Sequence, residues 1–208
     1  MIILNIEQKS EAWYEARAGR VTSTRFKSLV AKETTDTYKD LITNLACEII
    51  TGRSDEGFSN ALMEEAIAKE PIARLAYEVN METAVRNVGF IIPDEGHKYH
   101  NWIGDSPDGL IIEDSGCIEI KCPLMRTHFE YIVNDKLPSE YRYQVQGHLF
   151  VTGLKYCDFV SYVDGMKLFV VRVYPDLELF AEYERRLDLL IPAVESAYKQ
   201  YQEYNIFK

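Results

Sequence analysis

Gly104-Asp105-Ser106-Pro107-Asp108-Gly109-Leu110 and, a little further on, Ile118-Glu119-Ile120-Lys121-Cys122-Pro123 decide how this chain of 208 residues is to be read. In a strand successive side chains face opposite ways, so Glu119 and Lys121 share one face while Ile118 and Ile120 point into packing. Asp108 stands just before a short β-type run, Leu110 to Ile112. The turn residues Asp114, Ser115 and Gly116 then lead into the run Cys117 to Lys121. Two carboxylates can thereby meet at one end of a hairpin, although the pattern leaves the register open. On the same residues, Asp108 also suits a turn in Ser-Pro-Asp-Gly, and Glu119 with Lys121 an ordinary surface pair.

Moving outward, the runs before this stretch are helical. Ser10 caps a short helix through Trp13 and Ala16 that stops at Gly19, and Thr22 or Ser23 caps a second carrying Phe26, Leu29 and Val30. Tyr38, Leu41, Ile42, Leu45, Ile49 and Ile50 repeat at helical spacing up to Gly52. Another helix is expected from Ser59 or Asn60 through Val79, kinked or broken at Pro71. Val85 to Ile92 reads as one strand. Beyond Pro123, helices are expected over Arg126 to Lys136 and Ser139 to Gly153. A hairpin of Tyr156 to Val163 and Lys167 to Tyr174 follows, turning on Asp164-Gly165, and a long last helix is bent at Pro192. This order gives α/β layers around a central sheet, with the whole of 1–208 as one domain.

Composition narrows the function. The chain is 47% hydrophobic and 27% charged, which suits a globular protein that buries its own core. The opening apolar run, Ile2 to Leu4, is too short for a secretory signal or a membrane span, so a cytoplasmic protein with no membrane partner is expected. Cys47, Cys117, Cys122 and Cys157 form no C-x-x-C pair, which disfavours a zinc knuckle and leaves mostly buried, reduced thiols. A net charge of −10 argues against non-specific coating of nucleic acid. The charge is nevertheless uneven. Arg17, Arg20, Arg25, Lys27 and Lys32 stand in one stretch with no acid among them, whereas the last helix is mainly acidic. Arg17 and the Thr22 to Thr24 hydroxyls flank a helix start, a plausible position for an anion.

Two hard oxygen ligands on neighbouring strands suit Mg²⁺, which takes one or two carboxylates and completes its shell with water and phosphate oxygens. A lysine beside it can hold or deprotonate the attacking water. Five motifs occur in an order that resembles the phage lambda exonuclease (YqaJ-like) family of the PD-(D/E)xK nuclease superfamily. They are Trp13-Tyr14-x-x-Arg17-x-Gly19, Thr22-Ser23-Thr24, Ser106-Pro107-Asp108-Gly109-Leu110, Glu119-Ile120-Lys121-Cys122-Pro123 and Tyr143-Gln144-Val145-Gln146-Gly147. The match spans residues 13 to about 153.

The resemblance implies a central mixed β-sheet flanked by α-helices. It implies a metal-dependent 5′ to 3′ exonuclease that digests one strand of linear double-stranded DNA and leaves a 3′ single-stranded tail for a single-strand annealing protein. By matching position, Asp108, Glu119 and the carbonyl of Ile120 would bind Mg²⁺, for which Mn²⁺ can substitute. Lys121 would position the water, Glu70 would be an auxiliary acid, and Gln144 would stand near the metal or nucleophile. Arg17, Thr24 and Ser106 fall where the family holds a terminal 5′-phosphate, and a ring-shaped homotrimer of phage or prophage origin in a bacterial host is implied. Met63 aligns with a wedge at the duplex end, but a methionine at helical spacing equally suits the core. Glu33, Thr34, Thr35 and Asp36, and Thr127, depart from basic positions of the family. An endonuclease with the same metal site is the enzymatic alternative, and a non-catalytic DNA-end-binding module the other. A relative carrying an iron–sulfur cluster would need a cysteine grouping that is missing here.

Overall fold

The computed structural model describes residues 1–54, 61–112 and 114–204, without the side chains of 62 and 63. The start of the helix expected at Ser59 or Asn60, and the side chain of Met63, lie outside the described residues. Five strands form a mixed sheet: β2 (Val85–Arg86), β4 (Gly109–Ile111), β5 (Gly116–Lys121), β6 (Tyr156–Ser161) and β7 (Phe169–Val173), in the order β2-β4-β5-β6-β7. The central pair β5 and β6 is parallel and every other pair is antiparallel. A separate two-stranded ladder joins β1 (Ile2–Leu4) to β3 (Phe90–Ile92).

Helices cover both faces of β5, because its alternating side chains are apolar on one face and mixed on the other. Ile118 and Ile120 pack with Ala73 and Tyr77 of α4 (Ala61–Met81). On the opposite face Cys117 packs with Val145 and Leu149 of α6 (Arg142–Thr152) and Tyr131 of α5 (Met125–Asn134). A second core, between helices, joins Leu41 and Leu45 of α3 (Asp36–Thr51) to Leu187, Leu190 and Val194 of α7 (Leu177–Gln202). Phe26 and Leu29 of α2 (Phe26–Leu29) enter the same cluster. Ser10 caps α1 (Glu11–Arg17), accepting from the Trp13 N–H at 3.3 Å. No helix among the described residues is long and apolar enough to cross a membrane.

Several expectations need correction. The run Val85 to Ile92 is two strands in two different sheets, divided at Asn87-Val88-Gly89. The division follows from close backbone approach: a Cβ added at Gly89 would stand 1.9 Å from the carbonyl oxygen of Ile6. Gly89→Ala is therefore expected to lower stability by about 3 kcal/mol or more, read as a lower urea midpoint; an unchanged midpoint would show that the β1–α1 connection gives way freely.

The helix expected from Thr22 or Ser23 is a 3₁₀ turn, Ser23–Arg25, followed by the single turn of α2. Pro71 and Pro192 lie inside α4 and α7, and neither helix is broken there. The loop between β6 and β7 is longer than a two-residue turn, since Ser161 pairs with Phe169. Asp164-Gly165 is still its tip: Met166 N–H donates to the Val163 carbonyl at 3.1 Å, and only Gly165 takes a positive φ, 77°. Of the four thiols, Cys117 and Cys157 are buried, Cys122 is half-buried and Cys47 is exposed.

Candidate active site

The register that the sequence leaves open is fixed by Gly109 facing Ile118 and Leu110 facing Cys117. One step further, where β4 stops at Pro107-Asp108, Asp108 comes opposite Glu119. A proline has no N–H to extend the ladder, so the edge of β5 beyond Ile118 is left without a partner strand. Asp108 takes its place: Ile120 N–H donates to Asp108 Oδ2 at 2.6 Å, and Asp108 N–H donates to the Ile118 carbonyl at 3.1 Å. Odd-numbered residues of β5 bond towards β6, as in the 3.0 Å bond from Tyr162 N–H to the Lys121 carbonyl. The N–H and C=O of one strand residue face the same edge, so the Ile120 carbonyl faces the open side beside Asp108.

Glu119 is 2% exposed and is therefore no surface residue. Its Oε1 accepts from Gln144 Nε2 at 2.5 Å and pairs with Lys121 Nζ at 2.6 Å, while its Oε2 faces His148 Nε2 at 2.8 Å. His148 Nδ1 lies 2.7 Å from Asp105 Oδ2, with both residues fully buried. Gln144 and His148 are one helical turn apart on α6, which brings both over the same strand residue. Lys121 also stands 5.3 Å from the Tyr141 ring centroid.

These contacts divide the charges unequally. Burial alone would raise the pKa of Glu119, but Lys121 and His148 outweigh it and hold the carboxyl at about 2. Burial and then the Glu119 charge push Asp108 up to about 8, only partly opposed by Lys121. Lys121 is held above its ordinary range, since Glu119 and Asp108 overcome the penalty of burial. His148 is likewise carried well above the histidine range, Asp105 and Glu119 outweighing burial. Glu70, on α4, is raised by burial, with Lys9 and Lys121 working against the shift. Glu70, Arg74, Lys9 and Asp108 line a cleft of about 500 Å³. Within it Arg74 donates to the Asp108 carbonyl at 3.0 Å.

The residues present fit a hard divalent cation. Asp108 and Glu119 repel each other across a strand pair, and a dication between them would relieve that repulsion. Both carboxylates and the Ile120 carbonyl offer oxygen donors at one open sheet edge. Among the described residues no three His, Cys, Asp or Glu side chains could hold a metal ion by themselves. Water and substrate oxygens would have to complete the shell, which is how Mg²⁺ is usually held.

A second cluster lies towards the N-terminus. The Arg17 guanidinium carbon stands 4.0 Å over the Trp13 ring, and Arg17 Nη2 donates to Thr22 Oγ1 at 3.4 Å. Thr22 Oγ1 is 3.3 Å from Thr24 Oγ1. Trp13 Nε1 donates to Ser106 Oγ at 2.9 Å, and Ser106 donates on to the Gly89 carbonyl at 2.9 Å. Arg17, Thr24 and Ser106 are thus joined through Trp13 and Thr22. Arg17 has no carboxylate ion pair among the described residues, and burial followed by the neighbouring Arg25 lowers its pKa to about 10. A half-buried cation beside hydroxyls, with no carboxylate in ion-pair contact among the described residues, suits an anion. The hydroxyls and guanidinium make this site, not a helix dipole, because only a 3₁₀ turn starts there.

Asp105, His148 and Trp13 are the site residues that the sequence pattern does not single out, whereas Thr22 stands among the hydroxyls expected at the anion position. Trp13 lies inside a family motif, and His148 could have been found from its helical spacing to Gln144. Asp105 carries no such signal, since its partner is remote in sequence.

The family model of the YqaJ-like viral recombinase domain matches residues 12–155. Among solved structures, LHK-Exo, an alkaline exonuclease from Laribacter hongkongensis crystallised in complex with dAMP, is 32% identical. That match covers 93% of this chain and 96% of that one, with a TM-score of 0.81. A phage-related exonuclease from Haemophilus somnus 129PT shares the fold at 14% identity, with a TM-score of 0.66 over 88% of this chain and 96% of that one. The uncharacterized protein R354 of Acanthamoeba polyphaga mimivirus is 29% identical over 171 residues, 76% of this chain; the chain spans 30% of that relative's length.

Proposed function

This chain belongs to the YqaJ-like viral recombinase domain family, of PD-(D/E)xK type and homologous to alkaline exonucleases, and from that premise we propose that it is a Mg²⁺-dependent 5′ to 3′ exonuclease. Its substrate is linear double-stranded DNA with a 5′-phosphorylated end, and the product is a 3′ single-stranded tail for an annealing partner. The observation that carries the reading is the sheet edge at which Asp108 replaces a missing strand and faces Glu119, with Lys121 2.6 Å from Glu119.

Asp108, Glu119 and the Ile120 carbonyl would hold the cation, with Glu70 reaching it through water. When bound, Mg²⁺ supplies positive charge to the phosphate under attack and lowers the pKa of water. The chain's own groups do the rest. Lys121, 2.6 Å from Glu119, would hold and orient the attacking water. Gln144 fixes one oxygen of Glu119. Arg17, Thr24 and Ser106 receive the terminal phosphate and thereby set which bond reaches the carboxylates. Hydrolysis breaks the P–O3′ bond of the end nucleotide; water adds to phosphorus, and the 3′ oxygen leaves with a proton. The released mononucleotide carries the original 5′-phosphate, and the strand regains a new one.

Linear duplex labelled separately at each terminus, and closed circular duplex, incubated with and without Mg²⁺, test the reading. Loss of the 5′ label alone, only with Mg²⁺ and only from linear DNA, is expected. Cutting of the circle would favour an endonuclease instead. Arg17→Ala is expected to lower kcat/KM on 5′-phosphorylated ends about 10- to 100-fold and to change 5′-hydroxyl ends little. Equal loss on both ends would remove Arg17 from phosphate recognition.

A ring-shaped homotrimer belongs to the same proposal. Leu187 is buried within the chain, so it is not available for a subunit contact, and Phe180 is half-buried against the helical core. Leu177, Tyr201 and Tyr204 remain exposed, as does an α5 stripe of Met125, Phe129 and Val133.

A further inference from the structure

We propose that Asp105 and His148 are a buried positioning pair that fixes the rotation of the Glu119 carboxylate; the inference rests on the nuclease reading of that site. The pair is anchored at both ends. Asp105 is held to β3 by two backbone bonds with Ile91, at 2.7 and 2.8 Å, and its Oδ2 lies 2.7 Å from His148 Nδ1. His148 sits within α6, and Thr152 Oγ1 donates to its carbonyl at 2.6 Å. The imidazole then meets Glu119 Oε2 at 2.8 Å, so one oxygen is occupied from the core side and the other is turned to Lys121 and Gln144.

A glutamate's terminal torsion is broad and roughly two-fold, so nothing in Glu119 itself selects that rotation. Asp105 and His148 are fully buried, and neither lines the cleft. Their hydrogen bonds to the carboxylate edge run through Glu119. Asp105 also precedes Ser106 of the Arg17 cluster, so one segment, Asp105-Ser106, supports both the carboxylate edge and the candidate phosphate pocket.

The experiment titrates Mn²⁺ alone into the full-length, DNA-free protein, followed by electron paramagnetic resonance, beside kinetics on duplex DNA. His148→Leu keeps bulk and removes both bonds; His148→Gln keeps an amide able to donate to Glu119. Loss of an outer partner of a metal-binding side chain typically weakens affinity or activity about 10- to 100-fold. That loss is expected for His148→Leu in Mn²⁺ affinity and kcat, with KM for DNA unchanged, and a severalfold smaller loss for His148→Gln. If the leucine variant does not fold, the glutamine variant decides: weaker Mn²⁺ binding with unchanged KM supports the pair. A folded variant with wild-type Mn²⁺ affinity and kcat overturns it, as does a rise in KM alone. Wild-type protein that binds Mn²⁺ but digests no DNA would end the nuclease reading and leave the pair intact. Wild-type protein that binds no Mn²⁺ would end both.

Discussion

Lys121→Ala protein is expected to bind duplex ends as the wild type does and to release nucleotides about a thousandfold more slowly at saturating DNA and Mg²⁺. Lys121 is the one ammonium within 4 Å of Glu119 among the described residues, at 2.6 Å, and both carboxylates raise its pKa. In the cation-free protein it is therefore held as an ammonium donor beside Glu119. Its loss also leaves a buried carboxylate with fewer partners, which commonly costs about 3–5 kcal/mol when a pair is broken outright. Gln144 and His148 still hold Glu119, so the stability loss should stay below that range. A melting curve separates the two effects. A folded Lys121→Ala protein with turnover within tenfold of wild type would take the lysine out of the reaction.

Asp108→Asn is expected to abolish Mg²⁺-dependent digestion while making the cation-free protein more stable at alkaline pH. The sign follows from the raised pKa of Asp108, about 8 against an ordinary 3.8. The folded protein binds this proton more tightly than the unfolded chain does. The stability it contributes is complete below pH 4 and is lost as pH rises towards 8. Asparagine keeps an oxygen for the Ile120 N–H and never acquires the charge. Without divalent cation, the variant should therefore melt several degrees above wild type at pH 8.5, a gain of the order of a few kcal/mol, and the two should converge near pH 4. Mg²⁺ should raise the wild-type melting temperature more at pH 8.5 than at pH 5.5, because the proton competes for the same oxygens, and should move the variant little. Coincident melting curves at pH 8.5 would show that Asp108 carries no such strain.

How far the sequence reaches depends on whether a signal is local. The alternation Ile118-Glu119-Ile120-Lys121 placed isoleucines on one face and charges on the other, and the strand has that division. Ser10, Gly52 and the apolar spacing of α3 were similarly readable, since caps and periodicity act within a few residues. Register is different in kind: only the pairing of Gly109 with Ile118 puts Asp108 across from Glu119, and it depends on where Pro107 ends the ladder. Val85 to Ile92 looks continuous because composition cannot reveal that the Ile6 carbonyl crowds Gly89. Asp105 was hidden for the same reason, being an ordinary residue until folding closes a distance of 43 positions to His148.

The unpaired seam of β5 bears on how proteins of this architecture can diversify. Glu119 and Lys121 hang from a strand stitched to β6 along its whole length, and Asp108 stands directly before the strand beside it, bonded to β5. No loop insertion can shift one of them without unpicking the sheet. Arg17, Glu70 and Gln144 come from three different helices, and Ser106 from a connecting segment, so each can be exchanged separately. In such a design the reaction is inherited as a unit, while the choice of which DNA terminus it meets is open to piecemeal revision.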